Sequence, residues 1–94
     1  MTTEAYIPAG VTFAGRQIDE VFAVTLHDPD SDDPHGSLTT HNPLHEGERG
    51  GPLVVLGTRD GRQWRITVPE IEVIRRTAVG CEFIVFGRIT RRAL

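Results

Sequence analysis

The chain has no lysine: all ten of its basic residues are arginine, a bias that GC-rich coding produces without functional pressure. It has one cysteine, Cys81. That excludes an intramolecular disulfide and, within one chain, a cysteine-built zinc cage or iron–sulfur centre, and it suits a reducing compartment. Aromatic side chains make up only 6% of the residues, which leaves little ring surface for stacking nucleobases or planar ligands. Apolar runs such as Leu53 to Leu56 end far short of the ~20 residues that span a bilayer. Residues 1–20 carry neither a basic nor an apolar leader region. The expectation is an untargeted, soluble, cytoplasmic protein.

Catalytic signatures are equally scarce. The only serines, Ser31 and Ser37, lie in an acidic stretch and in no Gly-x-Ser-x-Gly turn. Cys81 opens an apolar segment and reads as an inert core thiol. Glu70 and Glu72 share one strand face, where solvent rather than a cleft is the ordinary environment for a carboxylate pair. Neither an enzyme nor a bound cofactor is expected.

What is present is the punctuation of a β-protein. Ten glycines and six prolines separate short apolar runs, and a chain of 94 residues fits one domain with one modest core. In residues 18–27 the even positions Ile18, Phe22, Val24 and Leu26 are apolar, with Glu20 the exception, while Asp19, Thr25 and His27 share the other face, which predicts a half-buried strand; a shorter strand is expected at 11–14. The clearest element is residues 52–69, where two apolar runs flank Asp60-Gly61, a dipeptide suited to positive φ in a two-residue hairpin. Trp64, Ile66 and Val68 should then face the core, with Gln63, Arg65 and Thr67 outward. Residues 70–76 resume an extended pattern with Ile71 and Val73 inward. Residues 81–90 are apolar on both faces, which predicts a central or doubly covered strand. Residues 28–51 read as one long acidic, Pro/Gly-rich loop with "SLTT" its only strand candidate. The fold predicted for 1–94 is all-β: a single small antiparallel barrel of the SH3-like or Sm-like kind, or a small sandwich, of five to six short strands.

Two constellations offer candidate sites. In "HDPDSDDPHG", residues 27–36, Asp28, Asp30 and Asp32 have the spacing of the first oxygen ligands of a calcium loop. Asp33 stands where such a loop needs glycine, however, and Thr39 where it needs a bidentate acid. His27, His35, His41 and His45 add nitrogen donors that suit zinc or nickel, but Asn42-Pro43 denies His41 and His45 a helix. These seven residues are the metal candidates, set against a solvated acidic loop.

The second constellation is basic. Residues 1–48 hold nine acids against Arg16, a net of −8, whereas 49–94 hold nine arginines against four acids, a net of +5. Arg75, Arg76, Arg88, Arg91 and Arg92, with Phe86, are the partner-binding candidates. The net charge of −3 argues against nucleic acid, which remains the third reading. The first is a non-catalytic domain that binds another protein, or itself as a homodimer, through a strand edge and charge complementarity. The second is a metal- or small-ligand-binding module built on residues 27–48.

Overall fold

The structure, a computed structural model, describes residues 2–94. Ten strands follow one another: β1 (Thr3–Phe13), β2 (Arg16–Gln17), β3 (Val21–His27), β4 (His35–Thr40), β5 (Arg49–Gly50), β6 (Leu53–Arg59), β7 (Arg62–Val68), β8 (Glu70–Arg76), β9 (Gly80–Phe86) and β10 (Thr90–Ala93). They form one curled antiparallel sheet in the order β10-β7-β6-β1-β3-β4-β9-β8-β5, with β2 hydrogen-bonded to β1. This is the small antiparallel half-barrel that the alternation predicts.

The curl depends on β1. Its first residues pair with β3 and its later ones with β6, and the register slips between Pro8 and Gly10. One inserted residue in a strand of period two exchanges its faces. Glu4 and Tyr6 are therefore buried at even positions, whereas Val11 and Phe13 are buried at odd ones. A single strand thus presents a core face to both halves of the sheet. Its first residues escape a reading by hydropathy because a glutamate occupies a buried position.

The hairpin of β6 and β7 forms as expected: Asp60 and Gly61 both have positive φ, 53° and 75°, and Leu53, Val55, Ile66 and Val68 are fully buried. Trp64 lies on the same inner face opposite Gly57 but only half-buried, its ring flanked by the Arg62 guanidinium. Fully burying a side chain of Val or Ile size contributes about 1.5–3 kcal/mol, so this hairpin supplies a large share of the core.

Three expectations are corrected. The stretch 28–51 is not one loop: its strand candidate at 37–40 belongs to a six-residue strand, β4, that pairs with β3 on one side and β9 on the other, and β5 follows. The segment 81–90 is not one strand. It breaks at Gly87, whose φ of 97° suits glycine and where a Cβ would lie 2.8 Å from the Pro69 ring. Phe22 does not join Val24 and Leu26 in the core. The register of β3 shifts between Val21 and Ala23, leaving Phe22 52% exposed with its ring edge on His41. The ten strands also exceed the five to six expected, mostly through β1, β4 and the two-residue pieces.

Candidate interaction surface

The seven candidate metal ligands are not gathered into a site. His27 and His35 are direct partners across the β3–β4 hairpin, their rings stacked 5.1 Å apart, with each Nδ1 engaged by the protein: His27 with the Thr3 hydroxyl, His35 with the Asp33 carbonyl. Asp28 accepts the Thr2 backbone N–H, Asp30 is bound to Arg91, His41 packs on Phe22, and the His45 backbone N–H donates to Glu48. Asp32 is exposed. Among the described residues no group of three or more His, Cys, Asp or Glu side chains is arranged to hold a metal ion. The turn at 28–34 is instead held by local bonds: the Ser31 N–H and hydroxyl both donate to the Asp28 carbonyl, the turn chemistry typical of Asp and Ser.

The arginine constellation is also dispersed. Arg75 pairs with Glu82 on the neighbouring strand β9, and Arg76 lies exposed at the end of β8. Phe86 lies under the guanidinium of Arg49, which itself pairs with Glu70 and Glu72. The break at Gly87 leaves Arg88 in the connection between β9 and β10 and carries Arg91 and Arg92 to the other end of the strand order. Most ion pairs join residues of the same half of the sequence, such as Arg16–Glu48 and Arg49–Glu70. Arg91 is the exception.

Arg91 is the hub of a half-buried network that composition does not reveal. Its Nε lies 3.2 Å from Glu4 and its Nη2 2.7 Å from Asp30, and Glu4 also accepts the Tyr6 hydroxyl at 2.9 Å. Burial alone would lower the Arg91 pKa; the hydrogen bond to Asp30 and the charges of Glu4 and Asp30 outweigh it and raise the value above the ordinary one. Burial, reinforced by the hydrogen bond and charge of Glu4, pushes the Tyr6 hydroxyl up to about 12. Burial likewise raises the pKa of the Cys81 thiol, which keeps the sulfur in its unreactive protonated form.

Tyr6 therefore links stability to pH at the alkaline end. Below its ordinary value of 10.0 the tyrosine is protonated whether folded or unfolded, and its favourable environment counts in full. As pH rises towards 12, the unfolded chain releases this proton while the folded one keeps it, so stability falls by on the order of 3 kcal/mol. Tyr6 is the only tyrosine, so the phenolate absorbance of the native protein reports it directly. A midpoint near 10 would show that water reaches the hydroxyl.

At one end of the sheet, β10 has no hydrogen-bonded neighbour on its outer side among the described residues. β8 is flanked by β5 and by backbone bonds from residues 47 and 48, but β10 pairs only with β7. The Leu94 N–H donates to the Gln63 carbonyl at 2.9 Å. By the alternation of an antiparallel ladder, Thr90 and Arg92 also direct their backbone groups to β7, while Arg91 and Ala93 direct theirs away from the sheet. The outer face beside this edge is made of Val54, Leu56 and Thr58 on β6, Gln63, Arg65 and Thr67 on β7, and Thr90 and Arg92 on β10. No acid stands at any of these positions. Arg92 lies directly opposite Arg65, and like charges in that position destabilise a sheet. Sequence reasoning missed Arg65 because only the register of β7 with β10 brings it to Arg92.

Compared with models of protein families, with curated proteins and with solved structures, the chain matches none. Among the described residues no helix is long and apolar enough to cross a membrane.

Proposed function

We propose that this chain is a non-catalytic interaction domain that receives an extended segment of another protein on the free edge of β10. The observation that carries the reading is the outward-directed backbone of Arg91 and Ala93 on a strand with a single neighbour. An added strand gains main-chain hydrogen bonds there, and its alternate side chains fall on the outer face of β7 and β10. Natural edges are usually blunted by charge, shortness or cover; β10 is short and charged, features that limit indiscriminate pairing without removing the donors.

The substitution Ala93→Pro tests the reading. It deletes an N–H that serves no intramolecular ladder bond, and proline is tolerated on edge strands, so stability should fall by no more than about 1 kcal/mol. In the native protein the Arg91 and Ala93 amides should exchange with solvent fast and the Arg92 amide slowly. Slow exchange at Arg91 and Ala93 in dilute protein would mean that the edge is already covered and would remove the proposal.

A further inference from the structure

We propose, building on the edge reading above, that the segment received by β10 is acidic: an extended strand of a different protein with a glutamate or aspartate set against Arg92. Arg65 and Arg92 form one cross-strand row, Leu56–Arg65–Arg92. The next strand outward supplies the next member of that row. Within the sheet the two arginines occupy directly opposite, hydrogen-bonded positions, and none of the residues of that face on β6, β7 and β10 carries a negative charge to relieve them. An incoming carboxylate beside Arg92 relieves the repulsion and gains attraction from both arginines. The adjacent row, Ile7–Thr58–Gln63, continues to Leu94. Ile7 and Leu94 are 71% and 69% exposed. An apolar side chain two positions from the acid would therefore meet Leu94.

A second copy of this chain fits that edge poorly. Because Arg91 and Ala93 carry the outward N–H groups, two antiparallel β10 strands must pair through them. The register that uses both residues sets Arg91 against the second copy's Ala93 and Arg92 against the second copy's Arg92. The row would then read Arg65, Arg92, Arg92, Arg65 with no acid in it. A nucleic-acid backbone is also a poor occupant. The face offers two arginines and no exposed aromatic ring, while the protein as a whole carries a net charge of −3, so few counterions would be released.

The test is a titration of the full chain with three capped peptides, each alternating valine or threonine with glutamate, glutamine or lysine, followed by amide spectra and hydrogen exchange. The glutamate peptide should slow exchange at Arg91 and Ala93 and bind about five- to tenfold more tightly than the glutamine peptide at low salt. That margin should shrink in high salt and vanish in an Arg65→Gln, Arg92→Gln variant, while Ala93→Pro should abolish binding of both. Equal binding of the glutamate and glutamine peptides, still lost in Ala93→Pro, would overturn the acidic preference and leave the edge reading intact. Failure of all three peptides to protect Arg91 and Ala93 would overturn both. Protection of those amides by increasing concentration of the protein alone would identify a second copy as the occupant. Tighter binding of random duplex DNA than of the glutamate peptide, abolished by the arginine substitutions, would assign the face to nucleic acid.

Discussion

Arg91→Met should destabilise the protein by about 3–5 kcal/mol, the cost of leaving one member of a buried ion pair without its partner. The Glu4 side chain is only 10% exposed, and without Arg91 the bond from the Tyr6 hydroxyl would be its sole compensation among the contacts of this network. The pair to Asp30 contributes less, because that carboxylate is 75% exposed and solvent screens it. The penalty therefore belongs to Glu4, and a second change should recover most of it: Glu4→Gln combined with Arg91→Met removes the uncompensated charge and should restore more than half of the loss. Urea denaturation with an unchanged m value measures both variants. A loss below about 1 kcal/mol for Arg91→Met would show that water reaches the carboxylate and that the network is an ordinary surface pair. Arg91 Nη1, buried without an acceptor, makes the native arrangement itself imperfect. Part of the arginine's desolvation is thus uncompensated, and the double variant recovers that share as well.

This network shows why some of the molecule was legible in the sequence and some was not. The β6–β7 hairpin could be read because its turn residues and its two-residue alternation point to the same structure; Asp60-Gly61 needs no distant partner. Ile71 and Val73 were readable as inward from the same alternation, whereas in 81–86 both faces are apolar and the pattern could not say which one Phe83 occupies. Phe22 was misread because the register shift falls at Phe22 itself, between Val21 and Ala23, and hydropathy carries no mark of a bulge. β4 was only partly legible: residues 37–40 could be read as a short strand, but His35, Gly36, Ser37 and two threonines give it little apolar signal, and its place in the sheet depends on β3 and β9, which pair with it on both sides. The candidate surface was the least accessible part. A run of arginines near the end of the chain suggested one basic edge, but Gly87 turns the chain between Phe86 and Thr90 and separates Arg75 and Arg76 from Arg92. What brings a charged pair together is the register of β7 with β10, a long-range property that composition cannot express. The same holds for Glu4, Asp30 and Arg91, which sit at three separate places in the sequence.

Phe83→Ala should cost about 3–5 kcal/mol, the expected loss for an aromatic side chain removed from a fully closed core position. Phe83 is at 0% exposure on β9, and its ring packs over the backbone of Gly36, its direct partner on β4. The missing side chain of Gly36 makes room for the ring: a Cβ there would lie 2.8 Å from Phe83 Cζ. The converse substitution, Gly36→Ala, should therefore also destabilise, by about 1–3 kcal/mol for overpacking. A cycle with Phe83→Leu separates the two obstacles that the new methyl meets. The second is the Thr25 carbonyl, 2.5 Å away, which belongs to the β3 backbone and cannot rotate aside. If the ring dominates, Gly36→Ala should be nearly neutral in the Phe83→Leu background; if the carbonyl dominates, its cost should be the same in both backgrounds. The shorter approach to the less movable atom favours the carbonyl, so the expected coupling is below about 1 kcal/mol, small for residues in direct contact. Complete rescue of Gly36→Ala by Phe83→Leu would show that β3 and β4 can separate enough to admit a methyl group, and that the ring alone requires a glycine at this position.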